Sequence, residues 1–193
     1  MNPTSQAFQT AFHSVVNGTE AGAMLREASL EGKLGPWTKH LTASCVQACE
    51  ELSLRASAKG HKLDLLPVAR SEYLSLDVVA FPETGRKWRF PSLIAELENR
   101  QDFDFIAYSL WKILSVRAGL RVLFCYRNEE GKAGELVRKL KTEVIDALGT
   151  QSRLEMDGET LVVVGTRTES GTFPYGFFSW WRLNAGTGIF NPL

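Results

Sequence analysis

The chain lacks most of the features that name a function at first sight. Its 193 residues hold three cysteines, Cys45, Cys49 and Cys125, with no C-x-x-C spacing. An odd set of this kind argues for free thiols in a reducing cytoplasm rather than a disulfide framework. The histidines, His13, His40 and His61, are too scattered to form a metal cluster. No Ser-His-Asp pattern and no glycine-rich phosphate loop stands out. No apolar run reaches the roughly 18 residues of a spanning helix, so no membrane partner is expected. Residues Met1 to Val16 lack a basic n-region and an apolar h-region, and do not read as a signal peptide. An excess of either charge is missing too, because 22 Lys plus Arg balance 22 Asp plus Glu. That balance gives no support to strong non-specific nucleic-acid binding, although it leaves room for a local basic patch.

Apolar residues make up 44% of the chain, enough for the core of one domain. Residues 1–34 read as a helical extension, 35–126 as a core region, and 127–193 as a C-terminal helix and strands. Phe8, Phe12 and Val15 share a face of a first helix over 4–17. Thr19 caps a second helix that ends near Gly32. Pro36 opens a third, with a Trp37, Leu41, Cys45, Ala48, Leu52 stripe running on to Gly60. Residues 63–68 fit a short strand, and 72–81 alternate with period two. In 93–98, Leu93, Ala95 and Leu97 share one face while Ile94, Glu96 and Glu98 share the other. Asp102 caps a helix whose Phe103, Ile106, Leu110, Ile113 and Leu114 face inward. Tyr108 and Lys112 lie together on another face. Residues 120–126 are nearly all apolar, as in a strand covered on both sides. A helix over 132–148, stopped by Gly149, precedes a predicted hairpin over 153–165 around Asp157-Gly158. Aromatic residues from Tyr175 to Trp181 predict an edge strand, and their clustering predicts a homodimer interface. The order of elements is that of an α/β fold, a central mixed sheet with helices on both faces.

Two of these strands carry acids where strands rarely do: Asp77 on one, Glu96 and Glu98 on the next. A buried carboxylate without a partner is unstable, and a divalent metal ion is the partner that best accounts for the group. Asp77, then Glu96-x-Glu98, then a helix and an apolar strand, resembles the PD-(D/E)xK nuclease superfamily. The likeness covers roughly Trp37 to Tyr126. It implies an αβββαβ restriction-endonuclease-like core and Mg²⁺- or Mn²⁺-dependent hydrolysis of phosphodiesters. Many members place a further acid on the helix before the strands, and Glu51 matches it. Where the family usually has lysine, this chain has Glu98. Some members have glutamate there, and others move the lysine to the following helix, where Lys112 lies.

On that resemblance Asp77 and Glu96 hold the metal, with Glu51 completing the site. Glu98 orients or deprotonates the attacking water, and Lys112 or Lys87 stabilises charge on the phosphoryl group. Lys87 and Arg89 around Trp88, together with Gln101, are the candidate nucleic-acid contacts. DNA is the expected substrate ahead of RNA. The alternative reading is an inactive binding or assembly module that keeps the fold, which Glu98 in place of lysine and the zero net charge both favour. Plain structural readings stand beside these: Glu51 as a solvated helix residue, and Lys112 as a surface lysine whose stem lies on the helix.

Overall fold

The computed structural model describes residues 2–129 and 131–193. Seven strands form one mixed sheet in sequence order. They are β1 (Leu54–Ala58), β2 (Val78–Pro82), β3 (Leu93–Leu97), β4 (Leu120–Arg127), β5 (Glu159–Thr166), β6 (Phe178–Asn184) and β7 (Ile189–Pro192). The central pairs β3–β4 and β4–β5 are parallel, and the outer pairs are antiparallel. Parallel neighbours need crossover connections, usually helical. Here α4 (Phe103–Leu114) links β3 to β4. The β4–β5 link contains α5 (Lys132–Leu140) and α6 (Gly149–Leu154). Both crossovers step the same way across the sheet, so the right-handed rule puts both on one face. The side chains agree: Ile106, Leu110, Leu136 and Leu140 pack with Val79, Ile94, Leu123 and Val162.

The opposite face is covered by α1 (Ser5–Gly18), α2 (Glu20–Glu31) and α3 (Leu34–Glu51). The side chain of Thr4 accepts from Ala7 N and caps α1, and that of Thr19 accepts from Gly22 N and caps α2. A Cβ on Gly22 would lie 2.4 Å from Val16 O, so the tight elbow between these helices requires glycine. Phe8, Phe12, Trp37 and Leu41 pack on Ala80, Ala95, Phe124, Phe178 and Trp180. Residues 5–31 are therefore one wall of the core. Among the described residues, no helix is long and apolar enough to cross a membrane.

Several sequence expectations differ from the structure. The third helix stops at Glu51 instead of Gly60, and 54–58 form β1. Ser53, with φ 58°, turns the chain. Leu54, Ala56 and Ala58 then bury one face against β2, so burial along a sheet edge overrides their helix propensity. Residues 63–68 form no named strand. Leu63 makes only a bridge to Arg70, and this loop is pinned where Tyr73 Oη donates to Val68 O and Ser57 Oγ to Ser71 O.

The period-two reading of 72–81 holds only from Val78. Leu74 and Ser75 have φ values of 57° and 55°, leaving Leu74 exposed while Leu76 is buried. Finally, the chain winds through Gly149 into α6, and the predicted hairpin over 153–165 does not form. Arg153 is buried and donates to Ile145 O and Ala185 O, which keeps 153–157 out of the sheet. A Cβ on Gly158 would lie 2.2 Å from Gly119 O, so this glycine marks close backbone approach rather than a two-residue turn. The C-terminal hairpin is instead β6–β7, and β6 is an inner strand. Phe177, Phe178 and Trp180 are buried, so most of the cluster that predicted an interface belongs to the core.

Candidate functional site

The register of β2 and β3 builds the centre of the site. Val78 stands opposite Ala95 in an antiparallel pair, so one step further along places Asp77 opposite Glu96. The two acids interlock there. Asp77 N donates to Glu96 Oε1 at 3.3 Å, and Leu97 N donates to Asp77 Oδ2 at 2.7 Å. Two residues beyond Glu96, Glu98 points to the same face, as the strand period requires. Its backbone N donates to Phe124 O at 2.9 Å, which holds it beside β4.

The crossover helix supplies the other wall. Asp102 accepts from Asp104 N and caps α4, which then returns antiparallel to β3. Its early turns therefore face Glu98 and its later turns face Glu96. Ser109 Oγ donates to Glu98 Oε2 at 3.3 Å, and Lys112 Nζ lies 2.9 Å from Glu96 Oε1. Lys112 also donates to Ser75 O, tying the entry to β2 onto the helix. At 100° per residue, Phe105 and Tyr108 stand on the helix flank beside Lys112. These residues, with Arg100 and Asp104, line an open cleft of about 650 Å³.

Charge in the cleft is unbalanced, with four carboxylates, Asp77, Glu96, Glu98 and Asp104, facing Lys112 and Arg100. Burial pushes the Glu96 carboxyl up to about 7, and the Asp77 carboxylate adds to the rise while Lys112 opposes it. Burial also raises Asp77; Leu97 N–H and Lys112 oppose that, and the Glu72 and Glu98 carboxylates reinforce it. A carboxyl poised near neutrality can exchange a proton or accept a cation in its place.

The donor set can be compared with what a metal needs. Among the described residues no group of three or more His, Cys, Asp or Glu side chains has the arrangement of a metal cage. Asp77 Oδ1 and Glu96 Oε2 take no protein hydrogen bond among those residues. Two hard carboxylate oxygens at an open cleft fit Mg²⁺ or Mn²⁺, ions held by one or two carboxylates and several waters. A cation there would also offset the carboxylate repulsion that adds to burial in raising both acids.

The structure thus brings together Asp77, Glu96, Glu98 and Lys112 and leaves the other predicted residues apart. Glu51 is exposed at the end of α3, where its Oε1 accepts from Ser14 Oγ. The sheet lies between α3 and the acids, so Glu51 does not join this cleft. Arg89 spends its guanidinium on Pro82 O, Thr84 O and Gly85 O, closing the turn after β2. Lys87 is exposed and does not line the cleft. Gln101 donates to Asn128 Oδ1, and its carbonyl accepts from Arg127, so it fastens the loop before α4 to the end of β4. Sequence reasoning missed Arg100, Phe105 and Ser109, and it gave Tyr108 no role. A helical wheel carries the signal: Phe105, Tyr108 and Trp111 fall on the polar side of α4.

Glu96 should ionise near 4.5 in the unfolded chain and near 7 in the folded one. Between those values the native state holds a proton that the unfolded state releases, so stability falls as pH rises. The loss above pH 7 is on the order of 3 kcal/mol. Thermal melts in EDTA at pH 5 and pH 8 should show it, and Glu96→Gln should flatten the difference. A wild-type profile that rises across this window would contradict the assignment. Among protein-family models and curated protein sequences, none matches this chain.

Proposed function

We propose that the protein is a metal-dependent nuclease of the PD-(D/E)xK type, acting on nucleic-acid phosphodiesters. The observation that carries the reading is the interlocked pair of Asp77, just before β2, and Glu96 on β3, with Glu98 and Lys112 in the same cleft. Asp77 and Glu96 would hold Mg²⁺ or Mn²⁺, and the bound ion would neutralise phosphoryl charge and acidify water. Glu98 lies on the Glu96 side of the strand, and its Oε2 is already held by Ser109. That oxygen would take the proton of an attacking water. Lys112 offers the one ammonium in the cleft to the developing phosphoryl charge. This puts the lysine on the helix rather than on the strand, as in the family variants with a displaced lysine.

The runner-up is an inactive binding module, and the Lys112–Glu96 ion pair favours it. A permanent pair would serve as internal counter-ion and leave no need for metal. The two readings separate in one experiment. Purified protein with Mg²⁺ or Mn²⁺ should nick plasmid or cut single strands, and EDTA should stop it. Its melting temperature should also rise with metal, because an ion that binds only the folded state stabilises it by mass action. No cleavage of any substrate, together with melts indifferent to either ion, would reject the nuclease reading.

A further inference from the structure

Among the described residues six aromatic side chains are exposed: Trp88, Phe90, Phe105, Tyr108, Trp111 and Tyr175. Three of them follow one another along α4. Phe105 and Tyr108 line the acidic cleft, and Trp111 continues the row, its ring centroid 5.9 Å from that of Tyr108 at 35°. Soluble proteins rarely leave such a row unpartnered beside a polar cleft.

The surrounding charge identifies the partner. Arg100 lies 4.0 Å over Phe105, Lys139 lies 3.8 Å over Phe103 near the start of α4, and Arg117 lies 4.6 Å over Phe90 past its end. These are the cation–aromatic pairs among the described residues, and all three border α4. A row of rings with Arg100 over its first member and Lys112 beside it suits a chain of bases linked by phosphates. An apolar protein partner would offer no counter-charge to Arg100 at the cleft, whereas Arg117 already faces Asp157 at 3.5 Å.

We propose that the cleft takes single-stranded nucleic acid, with bases stacked on Phe105, Tyr108 and Trp111 and the adjoining phosphate set over the acids. This rests on the nuclease reading for its chemistry. A duplex keeps its bases stacked on one another, and extracting one costs energy that a single strand does not require. Arg100 extends the platform, because a guanidinium plane stacks on a base as well as on a ring.

The test uses the full chain carrying Asp77→Asn, in EDTA, so that no cleavage confuses binding. Fluorescence anisotropy compares labelled oligothymidylate and oligouridylate of roughly 12 nucleotides with a blunt duplex of equal length. The tighter of the two single strands names the sugar. A single strand should bind at least tenfold more tightly than the duplex. Tyr108→Ala and Trp111→Ala should each weaken that binding roughly tenfold, with melting temperature unchanged because both side chains are exposed. The inference is overturned if the duplex binds as tightly as either strand, or if the double variant binds like its parent. It is also overturned if the double variant merely turns a dimer into a monomer, which would make a second copy the occupant. If wild type cuts nothing while ring-dependent strand binding persists, the cleavage reading falls and this inference stands. If wild type cuts but binding ignores the rings, the reverse holds.

Discussion

Asp77→Asn is expected to lower metal-dependent cleavage by roughly a thousandfold or more while leaving the fold intact. The separation arises from what each oxygen of Asp77 does. Oδ2 accepts from Leu97 N at 2.7 Å and helps register β2 on β3. An asparagine oxygen can accept the same bond, so the strand junction survives. The amide removes the negative charge that would hold a cation with Glu96. Removing it also relieves repulsion, since the Asp77 carboxylate adds to the rise of Glu96. Stability in EDTA should therefore be unchanged or about 1 kcal/mol higher, and the metal-dependent rise in melting temperature should vanish. A structural ion-pair role predicts the opposite, a loss of roughly 3–5 kcal/mol and no metal response in wild type. Melts of both proteins, in EDTA and in stepped Mg²⁺ or Mn²⁺, decide between them.

Phe12→Ala should destabilise the fold by about 3–5 kcal/mol, a large share of the roughly 5–15 kcal/mol that holds a typical domain. Phe12 is fully buried, and its ring centroid lies 5.4 Å from Phe124, 5.4 Å from Phe178 and 5.6 Å from Trp180. Truncation leaves a void among rigid rings on strands that cannot close over it. Urea unfolding should show a lower midpoint with an unchanged slope. A change below about 1 kcal/mol would mean that α1 packs loosely and is an appendage after all. At temperatures where the variant is folded, metal-dependent cleavage should persist, because the acids lie on the other face of the sheet.

Much of the local structure was legible because short-range signals carry it. Thr19, Asp102 and Gly32 mark helix ends through bonds made within a few residues. The face shared by Glu96 and Glu98 follows from strand period alone. Tyr108 and Lys112 fall on one side of α4 by helical period alone. The errors came where local signals are ambiguous. Leu54 to Ala58 fits either period, and only pairing with β2 selects a strand. Asp157-Gly158 has the chemistry of a tight turn, but Gly158 is needed for close approach to Gly119. The aromatic cluster near the C-terminus signals burial without saying against what, and α1 and α3, through Phe12 and Trp37, are the answer.

The site divides the same way. Sequence determined that carboxylates would sit at two neighbouring strands, although Asp77 falls just before β2 and Glu98 just after β3, and that a capped helix would follow with a lysine on its polar side. Only the tertiary structure decided which of these groups meet. The β2–β3 register sets Asp77 opposite Glu96, and a slip of one residue would have turned either acid to the other face. The hand of the crossover puts α4, with Ser109 and Lys112, on that face and leaves α3, with Glu51, on the far one. It also turns Phe105 and Tyr108 into a wall of the acidic cleft. Register and handedness depend on contacts between residues far apart in the chain, and those contacts exist only once the sheet has formed and both of its faces are covered.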